Sequence, residues 1–248
     1  VNKATEHVDL NIANSIWFNE TYHFQDDFSQ QTEDYFNAKI EALNFGSPET
    51  SKQMNDWVKQ ATSDKIDHIV DSPLDQDLVS ILMNAIYFKG HWKYEFDQSL
   101  TEDDDFFISE TKTETVPFMT LNKEELAYME NEQFQAVALP YGNEDMSMKV
   151  FLPHKSVSEH DFEEMFTHDH WTICNDDFRK KEGTVILPKF TVSYEVELNE
   201  ALKSLGMVSA FDRDHADFSN MIEEENPLWI SRIKQKAYTD IHEEGTEA

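Results

Sequence analysis

The chain has 248 residues, of which 39% are hydrophobic and 12% aromatic, and these proportions exclude a disordered segment and favour a packed fold. It contains 20 Lys+Arg and 50 Asp+Glu residues, and the formal net charge of −30 would repel nucleic acid and anionic membrane surfaces, so we expect neither as a partner. The one cysteine, Cys174, excludes a disulfide framework within the chain and a metal site built from cysteines.

The N-terminal part of the chain predicts strands alternating with helices. Strands are predicted at 10–18 and 39–45, where apolar and β-branched residues run together. Between them, a helix is predicted by four aromatic residues at near-helical spacing, Phe24, Phe28, Tyr35 and Phe36. A second helix begins at Ser47, a residue suited to cap it, with Pro48 in the first turn, where its missing N–H costs nothing.

This second helix has an apolar stripe that must lie on a larger surface. The stripe consists of Met54, Trp57, Val58 and Ala61. The next segment, 78–88, is apolar nearly throughout and contains no Gly or Pro, so we predict a long strand buried on both faces. That strand is the predicted surface beneath the helix.

From Gly90 onwards the pattern changes to short strands separated by polar turns. Two further helices are predicted at 158–166 and 198–205, the latter closed by Gly206. The predicted strands are 106–108, 115–119, 126–129, 134–140, 146–152, 184–192 and 229–241. Because strands and helices mix without a regular βαβ rhythm or a linker, we predict an α+β fold in one domain, 1–248.

The sequence contains few of the motifs that indicate a catalytic or cofactor-binding site. Gly-x-Ser-x-Gly, phosphate-binding and dinucleotide-binding glycine loops and His-Glu-x-x-His are all missing, and we expect no cofactor and no enzyme activity. His168 and His170 could offer two imidazoles to a metal, but no third ligand is evident. Cys174 is interpreted as a structural thiol, because surrounding acids would raise its pKa. Asn19 begins a glycosylation acceptor pattern, which does not settle export.

Six groups of residues, in order and at compatible spacings, resemble the serpin family of protease inhibitors. They are NDWV at 55–58 with Thr62, KI at 65–66 and IV at 69–70; NAIYFKGHW at 84–92; LPKF at 187–190; LGM at 205–207 with Phe211; ADFS at 216–219; and QKA at 235–237 with EEGTEA at 243–248. Taken singly, Trp57, Trp92 and Phe190 favour core packing over a functional role, and the order of the whole set carries the resemblance.

The resemblance implies the serpin fold, a large central mixed β-sheet with further sheets and surrounding helices. Family members have helices before the strand at 10–18, and they end with a reactive loop and closing core strands. We therefore expect this chain to be a fragment, incomplete at both ends, whose target-determining scissile bond would lie beyond Ala248.

In the family, a protease attacks the reactive loop and is trapped as an acyl-enzyme when that loop inserts into the main sheet. By resemblance the hinge of this loop is Glu243, Glu244, Gly245, Thr246, Glu247 and Ala248. Gly245 supplies backbone freedom, and the small Thr246 and Ala248 would face the same way in an inserted strand, where they could be buried. Glu247 would point to the other face.

The resemblance also assigns residues to two further regions of the main sheet. Trp92, Lys189 and Glu243 would lie where the sheet opens, with Glu243 opposite Lys189. Asn84 would belong to a polar cluster at the centre of the sheet, where Gln235 replaces a histidine common in the family and cannot titrate.

The sequence leaves three functions open. The first is a suicide inhibitor of serine proteases, with some cysteine proteases among its targets, monomeric at full length. The second is a non-inhibitory serpin acting as a carrier, chaperone or storage protein, which would carry bulkier or charged residues at the inward hinge positions. The third is an acidic hydrolase, which would need a cluster of perturbed titratable groups in one cleft. An extracellular location is favoured over a cytoplasmic one, without being decided.

Overall fold

The computed structural model describes residues 3–4, 6–75, 77–109, 111–165, 177–225 and 227–248. The helices within these residues are α1 (Asp26–Phe36), α2 (Pro48–Ala61), α3 (Glu159–Glu164) and α4 (Asn199–Ser204). The strands are β1 (Lys3–Ala4), β2 (Val8–Asn19), β3 (Lys39–Leu43), β4 (Ser80–His91), β5 (Glu102–Ser109), β6 (Lys112–Glu130), β7 (Phe134–Tyr141), β8 (Met146–Pro153), β9 (Arg179–Pro188), β10 (Phe190–Glu197), β11 (Lys234–His242) and β12 (Gly245–Glu247). Among these helices, none is both long and apolar enough to cross a membrane.

The larger of the two sheets has seven strands in the order β1-β2-β4-β12-β11-β10, with β3 beside β2. β3 runs parallel to β2, and the other neighbours are antiparallel, so the sheet is mixed. The second sheet has the order β5-β6-β7-β8, with β9 paired to β6. These two sheets and the helices confirm the predicted α+β class.

Helix α2 covers one face of the main sheet, as its apolar stripe predicts. Ser47 caps the helix, since its side-chain oxygen accepts a hydrogen bond from the Glu49 N–H at 3.3 Å. Met54 and Val58 are buried and pack with Trp17 of β2 and Met83 of β4. The predicted surface beneath the helix is therefore confirmed.

A second apolar cluster joins the other face of the main sheet to the second sheet. Val8, Trp92 and Ile241 from the main-sheet side pack with Met119 and Leu139 of the second sheet, and all five are buried. This cluster lies directly beside the point where β12 enters the main sheet.

The prediction that the strand at 78–88 is buried on both faces is wrong. Side chains alternate along β4: Met83, Ala85 and Tyr87 are buried, whereas Leu82 and Ile86 are 63% and 53% exposed. The buried set faces α2, and described residues do not cover the lower part of the opposite face.

Three strand boundaries also differ from the prediction. The segments 115–119 and 126–129 lie in one long strand, β6, with an irregularity between Leu121 and Glu124 in its pairing with β9. The single strand predicted at 184–192 divides at Lys189, because the chain leaves the second sheet there and enters the main sheet. The predicted strand at 229–241 begins only at Lys234, as β11.

Candidate functional site: the hinge strand and its neighbours

The predicted hinge lies inside the main sheet as strand β12. It is antiparallel to β4 on one side and to β11 on the other, with Thr246 paired to Gly90 and to Ile241. Ala248 continues this ladder, since its N–H and C=O exchange hydrogen bonds with Phe88 at 2.7 and 2.5 Å. Strand β12 therefore lies between β4 and β11, which run parallel to each other because each is antiparallel to β12.

Gly245 enters the sheet directly beside the backbone of Gly90 on β4. A Cβ atom at this position would collide with the carbonyl oxygen of Gly90. Gly90 has no room either, because a Cβ there would lie 2.7 Å from the ring of Tyr141. Lack of space for a side chain therefore adds a second requirement for glycine at position 245, besides the backbone freedom expected there.

Thr246 faces the second sheet and is 7% exposed. The Tyr141 hydroxyl donates a hydrogen bond to Thr246 Oγ1 at 2.9 Å. Burial raises the pKa of Tyr141 to about 12, so that its hydroxyl stays protonated and available as a donor. A small polar side chain is accommodated here without an unsatisfied buried group.

Glu247 faces the other side of the sheet, towards α2, and is held by two groups. Lys65, just after α2, places Nζ 2.8 Å from Glu247 Oε2, and the Tyr87 hydroxyl donates to Oε1 at 2.8 Å. Burial by itself raises the pKa of Glu247, but the hydrogen bonds from Lys65 and Tyr87 outweigh this effect and hold the pKa below its usual 4.5. Lys65 also lies 5.2 Å from the ring of Tyr238 on β11.

Glu243 lies at the turn between β11 and β12, and its carboxylate is buried with both oxygens bound. Lys189 Nζ lies 2.7 Å from Oε2, and the Thr101 hydroxyl donates to Oε1 at 2.9 Å. Although burial alone raises the pKa of Glu243, hydrogen bonds from Lys189, the backbone and Thr101 lower it below its usual 4.5.

Trp92 holds the same turn from the end of β4. Its backbone N–H donates to the carbonyl of Glu244 at 3.0 Å, and its indole Nε1–H donates to the carbonyl of His242 at 2.9 Å. The structure therefore brings Trp92, Lys189 and Glu243 together at one end of the main sheet.

Asn84 and Gln235 lie on β4 and β11, and the strand registers place them on the same face of the sheet. Both are exposed. Asn84 Nδ2 donates to Asn14 Oδ1 at 2.8 Å, and within the described part of the chain no hydrogen bond joins Asn84 to Gln235. A sheet-centre cluster of these two residues stays a prediction.

Other sequence-derived candidates are not brought into this region. His168, Asp169, His170 and Cys174 lie outside the described residues. Conversely, Lys65, Tyr87, Thr101 and Tyr141 contact the hinge without having been predicted as site residues, although Lys65 and Tyr87 belong to segments that carried the family resemblance.

The whole chain, residues 1–248, matches the sequence profile of the family described as "Serpin (serine protease inhibitor)". The chain belongs to the serpin family. It is 32% identical to Serpin B10 of Sorex araneus over 255 residues, covering 100% of this chain and 64% of the relative. This serpin chain thus spans less than two thirds of the length of that protein.

Two solved structures share the serpin fold with this chain. "Cleaved Serpin 42Da" superimposes with a TM-score of 0.92 at 30% identity, covering 98% of this chain and 66% of that one. The thermophilic serpin tengpin, described in the latent state, superimposes with a TM-score of 0.91 at 31% identity, covering 99% and 66%. The serpin fold predicted from the six groups of residues is therefore confirmed.

Proposed function

We propose that the whole protein containing this chain inhibits serine proteases, with some cysteine proteases among its targets. It acts as a monomeric suicide substrate rather than as an enzyme, and it traps the acyl-enzyme by inserting its reactive loop between β4 and β11. Serpins in general are protease inhibitors, and the proposal applies their insertion mechanism to this hinge.

The observation that carries the proposal is the position of β12, whose two faces suit burial between strands. Gly245 passes Gly90 where no side chain fits, Thr246 is small and hydrogen-bonded, and Glu247 is neutralised by Lys65. A charged side chain at position 246 would be unpaired in the core, and a bulky one would overpack it, since Thr246 is buried. The hinge is thus compatible with insertion at each described position.

The strands on either side of β12 provide a place for the loop that would follow. Within the described residues, β12 and Ala248 pair with β4 only at 88–91 and with β11 only at 240–242. The edges of β4 and β11 beyond these pairs offer free backbone donors and acceptors, which an extended segment could satisfy. A loop continuing from Ala248 as a strand would run along these edges.

The two regions assigned by resemblance take roles in this proposal. Trp92, Lys189 and Glu243 hold the end of the sheet where insertion starts, and breaking the Lys189–Glu243 ion pair would free the turn before β12. Asn84 on β4 and Gln235 on β11 would then lie on either side of the inserting loop, on the same face of the sheet.

The test uses the whole protein, incubated with trypsin-like, chymotrypsin-like and subtilisin-like proteases and analysed on denaturing gels. We expect a covalent adduct with at least one protease, and its loss in Thr246→Arg, which is cleaved instead. Thr113→Arg is the matched control, because it makes the same substitution at an exposed threonine on β6 of the second sheet. Cleavage of the wild-type protein by every protease without an adduct would favour a non-inhibitory serpin.

A further inference from the structure

Strand β5 forms an open edge of the second sheet. The strand order is β5-β6-β7-β8, and within the described residues β5 pairs with β6 alone. Every residue of Glu102–Ser109 is exposed. Because alternate residues of a strand direct their N–H and C=O groups to opposite edges, every second residue of β5 points these groups away from β6, where no other strand meets them.

The first half of β5 carries four carboxylates in succession, at 102–105. The residues opposite them on β6 are Phe118, Pro117, Val116 and Thr115. None of these neighbours is basic, and among the ion pairs of the residues that the structure describes, none includes a carboxylate of 102–105. The negative charge of β5 is therefore not neutralised by the described part of the chain.

The second half of β5 is apolar and faces solvent. Phe107 is 73% exposed, and Phe106 and Ile108 are 43% and 45% exposed. Exposed apolar residues on an unpaired strand favour pairing with another chain. The edge thus combines unpaired backbone groups, apolar side chains and negative charge.

The charge distinguishes between two occupants of this edge. A second copy pairing through its own β5 would bring two sets of carboxylates 102–105 together, and like charges on neighbouring strands are destabilising. A segment rich in lysine and arginine would place opposite charges beside them instead. The net charge of −30 adds a long-range attraction for a basic partner.

We propose that β5 is a docking edge for an extended, basic segment of a partner protein, which adds to the second sheet as a strand beside β5. Main-chain hydrogen bonds give affinity in this mode of binding, and side chains give specificity. Asp103, Asp105 and Phe107 lie on one face of β5, and the residues between them lie on the other. The partner therefore carries basic residues opposite 102–105 and apolar residues opposite 106–108.

This inference does not depend on the proposed function, and it is tested by fluorescence anisotropy of a labelled peptide with the whole protein. The probe has an apolar half, Val-Tyr-Val-Thr, followed by a basic half, Lys-Arg-Lys-Arg, which matches β5 in the antiparallel direction. A peptide with the two halves exchanged matches β5 in the parallel direction. One of these peptides should bind, and more weakly as salt is added. A peptide with glutamate in place of lysine and arginine should not bind.

Backbone methylation separates strand addition from simple attraction between charges. Two forms of the binding peptide carry N-methyl groups on alternate residues, either odd or even, so that one form loses the N–H groups that face β5. That form should bind at least about tenfold more weakly, because several main-chain hydrogen bonds are lost. The other form should bind like the unmodified peptide. Equal binding of the two forms would overturn the proposal, since it would show ionic contact without strand pairing.

The double variant Asp103→Asn/Asp105→Asn should weaken binding about threefold to tenfold, because each opposite-charge pair across strands contributes modestly. Glu132→Gln/Glu163→Gln is the matched control: it removes as many charges, from exposed carboxylates beyond the far end of β6 and on α3. This control should bind the peptide like the wild type. The absence of any binding by the wild-type protein, or an equal loss in the two double variants, would also overturn the proposal.

Discussion

Gly245 lies against the backbone of β4 with no space for a side chain. The space for a side chain at this position is filled by the carbonyl of Gly90. Any side chain therefore forces β12 and β4 apart, even though the backbone angles of Gly245 are not in the left-handed region. Within the inserted strand, the requirement for glycine at position 245 arises from contact with Gly90 and not from a left-handed backbone.

Gly245→Ala should destabilise the pairing of β12 by about 1–3 kcal/mol, because backbone atoms on both strands must move to make room. Hydrogen exchange of the Phe88 and Ala248 amides measures this effect, since these amides bond across the two strands. Gly183→Ala is the control: a Cβ atom at Gly183 meets nothing within 4 Å. Equal protection of Phe88 and Ala248 in both variants would contradict the role of close contact.

Glu243 makes the turn before β12 sensitive to acid. Because its pKa is lowered by folding, Glu243 contributes stability that is fully present above its usual pKa of 4.5 and is lost as the pH falls through the folded-state value. We expect denaturant unfolding to show a smaller decrease in stability between neutral and acidic pH in Glu243→Gln than in the wild type. An identical pH dependence in the two proteins would rule out this contribution.

Lys189→Met should be more damaging than Glu243→Gln at neutral pH. Removing the ammonium leaves the buried carboxylate of Glu243 with an uncompensated charge, at a cost of about 2–3 kcal/mol. The comparison uses the free energy of unfolding measured at one pH. If Glu243→Gln lowers the free energy of unfolding more than Lys189→Met does, the ion pair is not formed in solution.

At the scale of elements, the segment after α2 acts as a clamp across β12 and β11. Lys65 is bonded to Glu247 on β12 and stands over Tyr238 on β11, while Asp71 lies 3.5 Å from Lys234 further along β11. These contacts connect the segment after α2 to two neighbouring strands, β12 and β11, through side chains alone. Opening the sheet at the hinge must break at least the first of them.

Lys65→Met should therefore speed hydrogen exchange of the β12 amides. The expected loss in the free energy of opening β12 is about 1 kcal/mol, as for a partly buried ion pair. Lys59→Met is the matched control, since Lys59 forms a longer pair of 3.8 Å with Asp64 and both side chains are exposed. We expect Lys59→Met to leave exchange of β12 unchanged. The clamp would be disproved by equal exchange rates in the Lys65 and Lys59 variants.

Most elements were predictable because their signals are local. The cap at Ser47 with Pro48, and the apolar stripe that contains Met54 and Val58, placed α2 and identified its buried face. The division of the strand at Lys189 was not predictable in this way, because it depends on which sheet the chain joins on either side. For the same reason, the sequence could not show that Leu82 and Ile86 would be exposed, because β4 carries apolar residues on both faces.

The candidate site was predictable only in part. The hinge residues and the Lys189–Glu243 pairing followed from resemblance to a family, which carries information about distant contacts. Tyr87, Thr101 and Tyr141 reach the hinge over separations of 160, 142 and 105 residues, and no local pattern encodes such contacts. Their roles required the folded structure.

At the scale of the whole molecule, one face of the main sheet is unevenly covered. The second sheet packs on its upper part, around Trp92 and Ile241, whereas the lower part presents four apolar side chains that are more than half exposed: Leu82, Ile86, Val192 and Tyr194. The strand registers place these four side chains on the same face of the sheet. An apolar face of this kind favours association.

This 248-residue chain, expressed by itself, should bind a hydrophobic dye and self-associate, because solvent contacts these four side chains. The double variant Leu82→Gln/Ile86→Thr should bind less dye and remain monomeric at higher concentration. Leu152→Gln serves as a control, because Leu152 lies on β8 of the second sheet and is 57% exposed. Sedimentation of the unmodified chain as a monomer without dye binding would contradict the expectation.

The indole of Trp92 makes the state of the hinge visible to an optical measurement. The ring is 4% exposed and stacks on Tyr141 at a centroid distance of 4.6 Å, while Tyr141 itself is bonded to Thr246. When β12 leaves the sheet, the Tyr141 hydroxyl loses its acceptor, Thr246, and water gains access to the two stacked rings. The wavelength and intensity of tryptophan emission then change without any added label, and stopped-flow fluorescence can time the movement of the hinge in the unmodified protein.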